Sequence, residues 1–585
     1  MHDGTVLEFD GFTVDVGGRL LLRGGRPVAL TPKAFDTLAV LLERPGEVVG
    51  KDDLLARVWP GAFVEDAILT QNIYTLRKAL QEAGGGRAYI ETIPRRGYRF
   101  AGPVAVRGGE APRARDARQE QIASIAVLPF EPLSGGSGGS GSADDSYLGL
   151  GLADALITRL SKLRRLAVRP TSAVRRYLGM ERQPADVGRL LQVDAVLEGT
   201  IRRSGDKLRI GVQLVSVRDD APSWATQFDA RSTDLFKLED LISRELADEL
   251  QLRLSNQERD RLAHSATVHP EAYDAYLRGR YFWNRRTLEG LTKGIESFRR
   301  AIELDPECAA AYAGLADCRV LLPLHSAMAP RDVFPQAIAA AERALALDDS
   351  LAEAHTSLAY ARFIYERRWE EAEQGFRRAL DLSPGYATAH QWYAFLLAAR
   401  GRHAEAVAEA RQARDLDPLS LVINSDLGMV LCFARDAAAE EQLRRTLELD
   451  ASFAYAHFEL GFALQQQGRL EEAVAAFGQA ARLAPGNPVM QAALGQALGL
   501  AGRPDEARTI LAHLEERSDR ELIEASLFGF LWAGLGEKER AIDHLEEACR
   551  QGSRFVAFLA TWSIYDPLRD HPRWPALLRT AGLLP

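Results

Sequence analysis

At 585 residues the chain is too long for one hydrophobic core, and three or four domains are expected. Its 46% hydrophobic and 26% charged residues, with both signs interspersed, are those of a globular protein and exclude a fibrous or wholly disordered chain. A formal net charge of −9 excludes a generally basic nucleic-acid binder, so any contact with nucleic acid has to be local.

The chain begins Met1-His2-Asp3-Gly4, without the basic and then apolar run of a secretory signal. Over the first thirty or so residues apolar and polar types alternate (Val6-Leu7-Glu8-Phe9, then Phe12-Thr13-Val14-Asp15-Val16, then Leu20-Leu21-Leu22). Asp-Gly and Gly-Gly turns separate these runs, predicting a small antiparallel sheet. Thr31 as N-cap and Pro32 at the first helical position open a helix that carries Phe35, Leu38, Leu41 and Leu42 up to Pro45-Gly46. A second helix is expected from about Lys51 to Val58, broken by Trp59-Pro60-Gly61.

The third helix, about Asp66 to Gln81, is more informative. Leu69, Ile73, Leu76 and Leu80 recur at i, i+4, i+7 and i+11 and make one buried stripe. The opposite face carries Gln71, Thr75 and Lys78, flanked by Tyr74. Such side chains suit base edges: Gln pairs with adenine, Thr meets a base or the thymine methyl, and Lys reaches guanine or phosphate. Arg77 lies nearer the buried side, where it reaches a phosphate or an acidic neighbour. An ordinary solvated face is the plainer reading of the same pattern. Ile90-Glu91-Thr92-Ile93-Pro94-Arg95-Arg96-Gly97-Tyr98-Arg99-Phe100 then reads as a hairpin tipped by two arginines. Residues 67–99 hold six Lys/Arg (Arg77, Lys78, Arg87, Arg95, Arg96, Arg99) against Glu82 and Glu91, so this window escapes the acidic average.

Sheet, three helices and hairpin, in that order, resemble the OmpR/PhoB-type winged-helix domain. Val64-Glu65-Asp66, Leu76-Arg77-Lys78-Ala79-Leu80 and Gly97-Tyr98-Arg99-Phe100 carry the likeness, which spans nearly all of residues 5–102. The resemblance implies a third helix in the major groove and a wing in the adjacent minor groove, with Arg95 or Arg96 on phosphates or in a narrow groove. Tyr98 and Phe100 are expected to pack, Tyr98 with an added phosphate contact. The loop from Trp59 to Val64, with Trp59, Gly61 and Phe63, sits where relatives touch RNA polymerase.

Residues 104–121 read as a flexible, mildly basic linker. Ile122 to Phe130 is a buried strand ending in Pro129-Phe130. Ser134 to Ser142 is rich in glycine but lacks the Gly-Lys-Ser/Thr that would cradle phosphate, and reads as a loop. A helix (about Tyr147 to Lys162), a strand (Leu166 to Val168), a short helix (Pro184 to Leu191), a hairpin (Ala195 to Arg203 with Lys207 to Val217) and a last helix (about Leu235 to Leu254) complete a small α/β domain, 122–255. Val127-Leu128-Pro129-Phe130, Val196-Leu197-Glu198-Gly199-Thr200-Ile201-Arg202 and Trp224 resemble the TolB-like amino-terminal domain, which implies no chemistry. Asp144, Asp145 and Asp154 read as loop and helix-face acids.

Residues 270–585 are repetitive. Asp305-Pro306, Asp348-Asp349, Ser383-Pro384, Asp417-Pro418, Asp450-Ala451 and Ala484-Pro485 step by 43, 35, 34, 33 and 34 residues, the period of tetratricopeptide repeats. Leu460-Gly461, Ala473, Phe477, Ala480 and Pro485 fill that motif's slots, and about eight helix pairs are expected. His355, His390 and His457 share one slot with Tyr312, Asn424 and Gln491. Pairs stack roughly 10 Å apart, too far for a shared metal, so the slot is expected to serve packing. Cys308, Cys318, Cys432 and Cys549 lack CxxC spacing and read as buried small residues of a reducing cytosol. The longest apolar runs, such as Phe555 to Tyr565, fall short of the ~20 residues of a membrane helix.

The expected architecture is multidomain α+β: an N-terminal winged helix-turn-helix (1–103), a central small α/β domain (122–255) and a C-terminal all-α repeat solenoid (270–585). The expected function is sequence-specific transcription regulation in the cytoplasm, with double-stranded DNA as partner, a protein or peptide ligand in the repeat groove, and assembly of copies on tandem sites. No receiver domain is read ahead of the winged helix. The chain also resembles one-component membrane regulators of the CadC kind, without their membrane helix. No nucleotide motif, nucleophile triad or metal cluster argues for an enzyme, and no cofactor is expected. The alternative is a repeat scaffold whose winged helix serves protein contacts.

Overall fold

A computed structural model describes residues 6–15, 20–24, 26–28, 30, 32–58, 66–82, 89–93, 96–107, 122–132, 143–163, 165–180, 182–204, 207–231, 234–250, 269–285, 287–325 and 328–584. They form two compact units: residues 1–122 with 212–227 and 247–252, and residues 123–211 with 228–246 and 253–585.

In the first unit, β1 (Val6–Phe9), β2 (Phe12–Asp15), β3 (Leu20–Arg23), β4 (Arg26–Pro27) and β8 (Ala105–Arg107) make one antiparallel sheet in the order β4-β3-β2-β1-β8. The strand β8 is a correction: its three residues open the stretch expected to be linker, and they pair with Glu8, Leu7 and Val6 of β1. Helices α1 (Pro32–Leu42), α2 (Lys51–Val58) and α3 (Asp66–Glu82) follow. Then β6 (Ile90–Ile93) and β7 (Gly97–Phe100) form the hairpin, and β5 (Val48–Val49) pairs with β7. Phe9, Phe12, Tyr89 and Phe100 form one aromatic cluster with ring centroids 4.9–6.1 Å apart, which joins the first sheet to the hairpin. Gly97 has φ +138°, and a Cβ there would lie 2.0 Å from the Val49 carbonyl oxygen. Only glycine lets β5 and the wing approach so closely.

The second unit contains the parallel strands β11 (Ala167–Val168), β9 (Ser124–Val127) and β12 (Ala195–Ser204), with β10 (Glu131–Pro132) beside β12. The full strand order is β11-β9-β12-β13-β14, where β13 is Lys207–Ser216 and β14 is Ala221–Arg231. Ile125, Ala126 and Val127 are fully buried, as befits a central parallel strand. Helices α4 (Ala143–Leu160), α5 (Thr171–Val174), α6 (Pro184–Leu191) and α7 (Leu235–Glu249) accompany the sheet. Strand β14 and helix α5 were not anticipated. The glycine-rich loop 134–142 lies outside the described residues.

Eight helix pairs follow, from Pro270–Trp283 with Leu288–Leu304 to Ala525–Gly534 with Lys538–Gln551, among the described residues. A Cβ on Gly461 would fall 2.6 Å from the Phe477 ring, so the paired helices meet where the motif places a small residue. Five of the six residues in the shared slot do the same thing. His355, His390, Asn424, His457 and Gln491 each hydrogen-bond the carbonyl six residues earlier, at 2.9–3.0 Å, and so hold the turn between repeats. All four cysteines are buried, and none forms a disulfide among the described residues.

Asp154 is a helix-face acid of α4, and a buried one: its carboxylate accepts from Thr171 Oγ1 (2.5 Å), Arg280 Nε (2.6 Å) and Asn284 Nδ2 (3.2 Å). Arg280 and Asn284 belong to the first helix pair, so the central domain is locked to the repeats. Arg169 reinforces the junction by donating to the carbonyls of Leu191 (2.7 Å) and Leu416 (3.1 Å).

Candidate nucleic-acid interface

Leu69, Ile73, Leu76 and Leu80 of α3 are at most 2% exposed, and the helix packs against α1 and α2. The face turned outward carries Thr70, Tyr74, Lys78 and Gln81, with Tyr74 at 60% exposure. Thr75 is half-buried. Lys78 of the expected face and its flanking Tyr74 are thus exposed, with Thr70 and Gln81 beside them. Thr70 and Gln81 went unremarked in the sequence, although their i, i+4 and i+3 spacing to Tyr74 and Lys78 puts all four on one side. The side chain of Gln71 lies outside the described residues, as do Arg95 of the wing tip and Trp59, Gly61 and Phe63 of the loop before α3.

Arg77 turns toward the hairpin. Its Nε and Nη2 donate to the Ile90 carbonyl at 3.1 and 2.9 Å, and Nη2 also donates to Thr92 Oγ1 at 2.8 Å. A guanidinium's fixed fork suits this double contact with a strand edge. Arg77 therefore ties α3 to the first wing strand, β6. Tyr98 is likewise committed to folding, being 4% exposed in the core of the domain. Arg99 faces Glu91 across the hairpin, with Nε 3.2 Å from Oε2, so its charge is largely matched locally. Arg96 is exposed in the turn closed by its own amide on the Ile93 carbonyl. The arrangement offers an outward helix face with an aromatic ring and an ammonium, braced to a turn that presents a guanidinium.

Comparison with known proteins agrees with this geometry. Residues 25–100 match the family model described as transcriptional regulatory protein, C terminal. This stretch is similar to the C-terminal domain of transcriptional regulatory proteins. Residues 120–245 match the second domain of HilA/YgeH-like transcriptional regulators. Residues 362–420, 437–488 and 464–525 match tetratricopeptide repeats. The transcriptional regulator HilA of Salmonella typhimurium is 26% identical over 420 residues, 70% of this chain and 70% of HilA. A putative adenylate cyclase 3 of Rhizobium meliloti is 30% identical over 252 residues, 43% of this chain, and the chain spans only 42% of that protein's length. The transcriptional activator CadC of Escherichia coli is 37% identical over 83 residues, 14% of this chain and 16% of CadC. Among the described residues of this regulator-like chain, no helix is long and apolar enough to cross a membrane, and no cluster of His, Cys, Asp and Glu is placed to hold a metal.

Proposed function

We propose that the whole chain is a cytoplasmic, sequence-specific transcription regulator that reads DNA with α3 and braces itself with the wing. The exposed stripe of α3, tied through Arg77 to the wing strand, carries this reading. Gln71, Tyr74, Thr75 and Lys78 face the major groove, joined by Thr70. Arg95 and Arg96 meet phosphate or the minor groove. The loop holding Trp59, Gly61 and Phe63 contacts RNA polymerase. In this reading a DNA-binding domain that runs to Arg107 is followed by a central domain (122–255) and repeats (270–585), and the TolB-like and repeat parts receive a signal or a protein partner. Likeness to HilA over 70% of both chains favours regulation over cyclase chemistry, since the cyclase likeness covers less than half of that enzyme. Anisotropy titration of labelled duplex at several salt concentrations tests the proposal. Binding is expected to weaken steeply with salt, and Arg95→Ala with Arg96→Ala to flatten the slope by up to ~2 phosphate equivalents. No retention on heparin and no salt dependence would leave the winged helix as a protein-contact module.

A further inference from the structure

The sheet of the central domain ends in two unlike edges. At one end β11 is only two residues long, Ala167–Val168. At the other, β14 runs for eleven residues, Ala221–Arg231, as the last strand in the order. Its inner edge is held to β13. Ser223 Oγ donates to the Leu214 carbonyl at 3.2 Å, and Arg209 grips Asp229 with Nε and Nη2 at 2.7 and 3.1 Å. Among the described residues, no backbone group of β14 bonds to a segment outside the sheet, and no strand lies beside its outer edge. A long unpaired edge is a template for another strand, and proteins commonly blunt one with lysines or an inward-pointing charge. β14 carries no lysine, and its buried side chains are the aromatic Trp224 and Phe228.

The strand is also complementary to itself. Asp219 and Asp220, both exposed, stand just before it, and the exposed Arg231 ends it. A second β14 laid antiparallel, with Thr226 on the two-fold axis, overlaps the whole strand, so that Ala221 faces Arg231. In this register Trp224 of each copy faces Phe228 of the other, the kind of aromatic pair that stabilises neighbouring strands. Ser223 faces Asp229, Ala225 faces Gln227, and each Arg231 comes beside the Asp219–Asp220 turn of the other copy. No like charges oppose one another. A parallel copy would instead set acid against acid and arginine against arginine.

We propose that two copies of this chain pair through β14, antiparallel and centred on Thr226, to make one continuous sheet. The interface is isologous, each copy giving and receiving the same contacts. Pro222 lacks an N–H and suits only a sheet edge; near the end of the strand, it leaves the middle of the new ladder complete. A strand pair is a small interface, so the dimer is expected at micromolar rather than nanomolar concentrations. Two joined chains carry two winged helices, the pairing that tandem sites call for. The proposal does not rest on the DNA reading, and its test is made without DNA.

The full chain is measured by sedimentation velocity across the micromolar range. Wild type is expected to pass from monomer to dimer as its concentration rises. Ala225→Lys with Gln227→Lys sets lysine opposite lysine at two points and should weaken pairing by about 10-fold or more. Ala225→Glu with Gln227→Glu should do the same, and an equimolar mixture of the two variants should pair again. Both positions are exposed, so circular dichroism should stay that of wild type. A short bismaleimide reads the register separately, because the chain's four cysteines are buried. Ala225→Cys should be crosslinked to its counterpart, whereas Ser223→Cys, about 20 Å from its own by strand rise, should not. If the charged variants lose their circular dichroism, the crosslinking pair decides. A monomer at every concentration, folded variants that pair like wild type, a mixture that pairs no better than its components, or crosslinking at 225 no greater than at 223 would each overturn the proposal.

Discussion

Arg280 of the first repeat helix and Asp154 of α4 form a buried ion pair, Nε to Oδ2 at 2.6 Å, with side chains 8% and 3% exposed. Asp317 stands 3.7 Å from the same guanidinium. One arginine thus links the central domain to two successive helix pairs, and the central domain and the repeats are held together by charge as well as by packing. Asp154→Ala leaves the guanidinium with a distant partner and is expected to cost ~3–5 kcal/mol, whereas Asp154→Leu with Arg280→Met should cost less. Urea denaturation of the full chain checks this, and a single-variant loss below about 1 kcal/mol would count against it.

Glu239 gives the same junction a pH dependence. Burial drives its pKa up from 4.5 to about 7, against the lowering pull of Arg159 and the Tyr273 hydroxyl, with Asp154 adding to the rise. The folded protein therefore keeps a proton that the unfolded chain releases. Its stabilising share is full below pH 4.5 and is lost as the pH climbs to about 7. At about 1.4 kcal/mol per pH unit, the window is worth ~3 kcal/mol. Desolvation raises Asp426 likewise to about 7, so the wild-type slope contains more than Glu239's share. Glu239→Gln should reduce the fall in stability between roughly pH 5 and pH 7.5, and an unchanged fall would show that Glu239 is ionised throughout.

Two residues of α3 should respond differently to truncation. Gln71→Ala is expected to relax preference at one base position by ~1–3 kcal/mol if its contact is bidentate. Arg77→Ala breaks the tie to Ile90 and Thr92 and is expected to cost ~1–3 kcal/mol of domain stability. It should lower affinity for every duplex alike. Binding-site selection separates the two: a motif altered by Arg77→Ala, or unaltered by a Gln71/Thr75/Lys78 triple-alanine variant, would reverse the assignments.

Assembly on DNA is the fourth expectation. A single winged helix buries a modest interface on DNA, so paired copies raise affinity through effective concentration without new base contacts. Residues 1–107 alone should bind the operator more weakly than the full chain, with the same sequence preference. Equal operator affinity in gel-shift titrations would assign the repeats another purpose.

Local periodicity in the sequence was enough to place α2 at Lys51–Val58, α6 at Pro184–Leu191, the wing hairpin and the eight repeat pairs, because each depends on residues a few positions apart. The common slot of His355, His390 and His457 was legible for the same reason, though its hydrogen bond to the sixth carbonyl back was not. Strand β14 escaped because its burial comes from neighbours in the sheet and leaves no strict alternation along Ala221–Arg231. The tertiary structure alone decided which ionic groups serve the fold. Asp154 meets Arg280 across 126 residues, Arg77 meets Ile90 across 13, and Phe558 meets Phe363 through the return of the tail. Spacing in sequence carries the period of a helix or a strand, whereas the partner of a buried charge or ring is set by which elements the chain brings together.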